Sequence, residues 1–254
     1  MPVLDALARD RAIDRVTLIE PDIFKAHNVE RHLFAPSDVG KLKAELACAW
    51  LRERRQELEV RVLLADLLDP ALQHDLADIA ASCDIGVCAA DNERAKFHFD
   101  SLMRHAKKPW TLGEVLAGGI GGFVHRFVPG GPCYGCVATH LRRDLPPDEE
   151  KPPDYSQPGG AIEEATVPAS LASIRAIAGL HAVLTLNLLH HPENAAQFTT
   201  LLLPMDLVPG LFDEPFRPIR MQIARSSECL ICRESLPAAE NLDVALDQAL
   251  ARLG

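Results

Sequence analysis

The chain has 254 residues, 48% of them hydrophobic and 24% charged, with a net charge of −10 at pH 7, enough to bury the core of one large domain or two small ones. The acidic balance excludes a nucleic-acid surface, which needs a basic face or stripe, and is compatible with a basic protein partner. No charged leader with an apolar stretch opens the chain and no apolar run is long enough to span a bilayer, so a membrane partner is not expected and the cytoplasm is the expected compartment.

In chain order, Arg15 to Ile19 reads as a buried strand. From Val39 to about Gln56, the side chains of Leu42, Leu46, Ala49 and Trp50 share one helical face. A second strand follows from Val60 to Leu64, a helix from Pro70 to about Ala81, a third strand from Asp84 to Cys88 and a helix from Glu93 to about Lys107. This alternation predicts an α/β fold with a mainly parallel sheet. Beyond Trp110 the pattern changes to strands at Thr111 to Val115, Gly122 to Val128, Phe198 to Leu203 and Arg217 to Ile223. One long helix spans about Val167 to Leu189, so the second half extends the sheet in antiparallel fashion. Residues 142–165 are rich in proline, glycine and acid and read as a crossover loop that holds Tyr155. Near the end, Leu242, Leu246, Leu250 and Leu253 fall at helical spacing, as in a packing helix or a dimer contact.

Two Cys-x-x-Cys pairs, Cys133/Cys136 and Cys229/Cys232, have the spacing with which four thiolates surround one zinc ion. Such a closed site has no open position for substrate and would staple distant segments together. The remaining cysteines, Cys48, Cys83 and Cys88, lie in apolar stretches and read as core residues. His190 and His191, near Glu193, read as the end of a helix rather than a metal site.

Ligands of open parallel sheets sit beyond the C-terminal ends of the strands. Two groups of residues fall there. Glu20 is placed to bond ribose hydroxyls, Arg31 and Lys43 could neutralise a triphosphate, and Asp91 could hold Mg²⁺. Each also has an ordinary structural reading: a turn residue for Glu20, surface charges for Arg31 and Lys43, a helix cap for Asp91.

The ordered series Glu20-x-Asp22, Asn28-x-x-Arg31, Gly40-x-x-Lys43-Ala44, Asp91-Asn92 and the two cysteine pairs resembles the E1-like adenylyltransferases of the ThiF type, over about Ile13 to Cys232. The resemblance implies a Rossmann-like fold over a single domain, residues 1–254, with structural zinc on Cys133, Cys136, Cys229 and Cys232, and a homodimer. It implies that Glu20 contacts the ribose, that Asn28, Arg31 and Lys43 face the phosphates, and that Asp91 is the magnesium-associated aspartate with Asn92 beside it. It further implies ATP-dependent adenylation of the C-terminal carboxylate of a ubiquitin-like or sulfur-carrier protein or of a peptide.

Two departures from the family pattern are expected. The strand and Gly-x-Gly-x-x-Gly loop that open the family have no counterpart, because Met1 to Arg9 matches the later part of the helix after that loop, which would remove the central strand of the sheet. Gly118 to Gly122 leads into a strand, not a helix, and reads as a bend or a channel for an extended peptide tail. Residues 142–165 hold no cysteine, so no thioester nucleophile is visible and an active protein would stop at the adenylate. The rival reading is a zinc-stapled binding protein without ATP binding. A nicotinamide-dependent oxidoreductase accounts for Glu20 but not for the Arg31 and Lys43 motifs beside the cysteine pairs.

Overall fold

Pro2 has no amide hydrogen to leave unbonded and a φ already near helical values, and it opens helix α1 (Pro2–Ala8). The computed structural model describes residues 1–141, 169–192 and 197–233. Seven residues do not make a stable helix alone. Tertiary packing holds α1: Val3 and Leu7 lie against Ala182 of the long helix α6 (Leu171–His190).

Strand β1 (Arg15–Ile19) pairs in parallel with β2 (Glu59–Leu63), Arg15 opposite Glu59 and Ile19 opposite Leu63. Helix α2 (Lys43–Arg54) makes the crossover, with Leu51 packed among Leu58, Val16 and Val60. Just past it, Arg55 donates to the carbonyls of Ala8, Asp10 and Ile13 at 3.0, 2.7 and 2.7 Å, fixing the turn between α1 and β1 to the end of α2.

Helix α3 (Gln73–Ser82), strand β3 (Gly86–Cys88), helix α4 (Glu93–His105) and strand β4 (Trp110–Val115) form the next unit, with β3 and β4 parallel. Strands β5 (Gly121–Phe127), β6 (Thr200–Pro204) and β7 (Ile219–Met221) add antiparallel in the order β3-β4-β5-β6-β7. The short helix α5 (Tyr134–His140) follows β5. Trp110 stacks on Phe127 at 4.0 Å between centroids and meets Phe99 edge-on, which places the largest core beneath α4.

The α/β class, the parallel pairings and the antiparallel extension agree with the sequence expectation. The parallel strands are divided between two sheets. Among the described residues β1 bonds only to β2 and β3 only to β4, giving a two-stranded and a five-stranded sheet. What joins them is packing: Ile13, before β1, and Val87, in β3, both rest on the α1–α6 cluster. A free edge also explains why β1, expected to be buried, is only half-buried along its length.

The glycine run is a bend and not a channel. Gly118 and Gly119 take φ of 69° and 72°, which L side chains rarely adopt. The space a Cβ would fill at Gly122 is taken by Ile177 Cγ1, 2.5 Å away, and at Gly121 by the Leu203 carbonyl, 2.9 Å away. Close approach of α6 and β6 to β5 uses up the room a peptide would need.

Helix α6 also corrects the sequence reading of apolar runs. Its 20 residues, with a mean hydropathy of 1.5 over the most apolar 18, are long and apolar enough to cross a bilayer. One face nevertheless packs on β4 and β5 through Ile177, His181, Thr185 and Leu188, and His181 Nε2 lies 2.9 Å from Thr111 Oγ1. The crossover loop 142–165 with Tyr155, Glu193, and the helix expected over 241–253 lie outside the described residues.

Candidate functional site

The chain leaves β1 at Ile19 and returns to α2 at Lys43 through a loop closed on itself. Phe24 donates its N–H to the Lys41 carbonyl at 2.8 Å, Gly40 donates back to Phe24 at 2.8 Å, and Lys43 donates to Asp22 at 2.9 Å. Gly40 has a φ of 96°, a conformation that favours glycine and lets the return strand turn. Phe24, His32 and Phe34 fill the loop, with ring centroids 5.4 to 5.8 Å apart.

This closure brings together three of the predicted site residues. Glu20 and Lys43 both act electrostatically on the amino group of Met1, and Lys43 and Arg31 both act on the His32 imidazole. Burial is the main cause that pushes the His32 pKa down to about 4, and the positive charges of Met1, Lys43 and Arg31 add to it. The end of β1 therefore gathers the cationic side chains of Lys43 and Arg31 with the carboxylates of Glu20 and Asp22. Lys43 Nζ lies 2.6 Å from Asp22 Oδ2, the lysine mostly buried and the aspartate largely exposed. Arg31 has no ion pair among the described residues.

Other predicted residues serve the backbone. Glu20 Oε1 accepts from the Asp22 N–H at 3.0 Å, and Asn28 Oδ1 accepts from the Lys25 N–H at 3.0 Å, closing a turn of 3₁₀ helix. At the other location the helix cap is Asn92, not Asp91: Asn92 Oδ1 accepts from Arg94 and Ala95 at 2.8 and 3.3 Å. That leaves the exposed Asp91 carboxylate with no hydrogen bond or ion pair among the described residues, and no such contact joins it to the Glu20–Lys43 corner.

The four predicted zinc ligands converge. Cys133 Sγ lies 3.8 Å from Cys136 and 3.5 Å from Cys229, Cys136 lies 3.5 Å from Cys232, and all four sulfurs lie within 4.8 Å of one another. Tetrahedral zinc with bonds of about 2.3 Å requires sulfurs about 3.8 Å apart, so the set fits that ion, and the separations are far beyond a disulfide. The first pair is not in a turn, as expected, but at the start of α5, with Cys133 as its cap residue. Gly135 lets the second pair dock, since a Cβ there would come 2.8 Å from Ile231. Burial works against the Cys229 thiolate, yet hydrogen bonds from the Cys232 and Ile231 backbone bring its pKa down to about 7, which favours the metal-binding form.

Cys48 and Cys88 are buried and Cys83 is half-buried, as the sequence predicted. Burial pushes the Cys88 thiol up to about 11 and raises Cys83 as well, so neither is an activated nucleophile. His190 and His191 end α6, as expected.

Sequence reasoning missed the buried Lys96 and Asp100 and the half-buried Glu93 and Glu114 behind the Asp91 turn. The spacing Glu93-x-x-Lys96-x-x-x-Asp100, which puts three charges on one helical face, is the signal that could have found them.

No curated protein matches this sequence. Among solved structures, E. coli MccB with ATP is similar at 18% identity and a TM-score of 0.59, over 91% of this chain and 69% of that one. The microcin C7 biosynthetic enzyme MccB in complex with N-formylated MccA gives 19% identity and a TM-score of 0.62, over 91% of this chain and 70% of that one. These likenesses establish the fold. The ThiF family model matches residues 2–230, nearly the whole described chain, and the protein belongs to the ThiF family.

Proposed function

We propose that this protein uses Mg-ATP to adenylate the C-terminal carboxylate of a peptide or of a ubiquitin-like or sulfur-carrier protein. The observation that carries this reading is membership of the ThiF family together with the closed loop after β1, where both Glu20 and Lys43 bond Asp22 and which also carries Arg31. The similar MccB structures, solved with ATP and with MccA, support it. The partner's carboxylate oxygen attacks the α-phosphorus, the bond from that phosphorus to the bridging oxygen breaks, and pyrophosphate leaves with the electron pair. The chain needs only to align the reactants and offset charge.

Among the described residues Arg31 has no ion pair, and it would meet the phosphates directly. Lys43 would exchange Asp22 for a phosphate oxygen, at small cost because Asp22 is solvated. Glu20 would meet the ribose, and Asp91, whose carboxylate has no ion pair among the described residues, would hold Mg²⁺, which would neutralise the leaving pyrophosphate. With Cys48 and Cys88 buried and Cys83 raised in pKa, the product is the free acyl adenylate.

A second reading, a zinc-stapled binding protein without ATP turnover, is favoured by the capping roles of Asn28 and Asn92 and by the unjoined β1 and β3. ATP–pyrophosphate exchange with candidate peptides and carrier proteins separates the two. Adenylation predicts exchange that Asp91→Ala lowers by about a hundredfold or more. Exchange that the variant leaves unchanged removes Asp91 from the mechanism, and none with any partner favours the binding protein.

A further inference from the structure

Behind the Asp91 turn, buried and half-buried polar groups run from the sheet to the cysteine cluster. Lys96, 5% exposed, donates to Glu93 Oε1 at 2.6 Å and to Glu114 Oε1 at 2.7 Å. The second Glu114 oxygen lies 2.9 Å from His125 Nε2, whose other ring nitrogen lies 2.9 Å from Thr200 Oγ1. The second Glu93 oxygen accepts from the Tyr134 hydroxyl at 2.8 Å. Tyr134 stands between Cys133 and Cys136 and is fully buried. Its backbone N–H donates to Asp100 Oδ1 at 3.1 Å, while Arg104 holds the other Asp100 oxygen at 3.1 Å. Its ring meets Phe97 edge-on at 4.9 Å. One knuckle residue is thus fastened along two turns of α4, at Glu93 by its hydroxyl and at Asp100 by its amide.

These contacts restrict the segment that ends in Asp91. Asn92 caps α4 and Glu93 opens it, so the direction in which Asp91 leaves the helix depends on where the Glu93 carboxylate is held. Buried charge of this kind tolerates few arrangements, because removing one partner strands the other in a low dielectric. A zinc ion on the four sulfurs fixes the backbone around Tyr134; four separate thiols, with no bond joining the two pairs, do not.

We propose that Glu93 and Tyr134 are positioning residues that couple the zinc knuckles to the Asp91 turn, so that metal on the four cysteines sets the geometry of a site on the far end of α4. The role assigned to that turn rests on the adenylation reading, but the coupling does not.

Hydrogen exchange of the zinc-loaded full chain, read by mass spectrometry over residues 89–97, tests the proposal. Chelating zinc from the native chain should speed exchange there about tenfold, beyond any change in β4 and β5. Tyr134→Phe with zinc retained, and independently Glu93→Gln, should reproduce the local loosening. Mg-ATP affinity should fall about fivefold in Tyr134→Phe, and by linkage Mg-ATP should tighten zinc in the native chain by the factor by which zinc tightens Mg-ATP. Exchange over 89–97 that is unchanged in both zinc-loaded variants overturns the proposal, as does zinc loss that loosens the whole chain evenly. If the native chain binds no Mg-ATP yet the local exchange response is present, the coupling stands and the adenylation reading falls.

Discussion

Lys43 occupies two environments at once. Its stem is buried against the loop while its ammonium reaches Asp22 at the surface, so a phosphate can replace the aspartate without repacking the lysine. The histidines report their surroundings through acid sensitivity. Burial, with a smaller contribution from nearby His125, pulls His181 down to about 4 against a hydrogen bond that the imidazole donates to the Thr111 backbone. A folded pKa below the unfolded value of about 6.5 means that the unfolded chain takes the proton first. Stability from this group is therefore complete above pH 6.5 and falls as the pH drops toward 4, and His32, also at about 4, has the same sign. Urea unfolding should lose on the order of 1–2 kcal/mol through His181 between pH 7 and 5. His181→Gln should flatten that slope, and an unchanged slope would contradict the assignment.

At the scale of elements, the two cysteine pairs form a joint whose fit depends on a missing side chain. A Cβ at Gly135 would stand 2.8 Å from Ile231 and 3.3 Å from Cys229 Sγ, so Gly135→Ala must push the second pair away. The expected result is a loss of about 1–3 kcal/mol and at least tenfold faster zinc release to a chelator. Zinc release at the native rate would show that the pairs do not meet as described. This joint was legible because Cys-x-x-Cys spacing carries its own chemistry. The helix that begins at Cys133 was not, because Gly130-Gly131-Pro132 before it signals a turn and the helical residues after it are few. Most strands and helices of the parallel half were legible within a few residues from apolar periodicity alone. That β1 pairs with β2 alone among the described residues was not legible in local periodicity, since hydrogen bonding between distant segments leaves no local pattern.

At the scale of the whole molecule, function depends on long-range closure that local sequence does not encode. Glu20, Arg31 and Lys43 were each legible as residues of the right type after a strand. What brings them together is the pairing of residues 22–24 with 40–43, packed on Phe24 and Phe34, and only the folded chain shows it. The same holds for the buried path from His125 to Tyr134, whose members come from β4, β5, α4 and α5. The corner at the end of β1 is the proposed nucleotide site. Calorimetry with Mg-ATP on this chain tests it most directly, with Arg31→Ala, Lys43→Ala and Asp91→Ala as comparisons. The account predicts saturable binding of one nucleotide per chain, weakened about tenfold or more by each substitution. No binding to the native chain, or binding that all three variants retain in full, would contradict it.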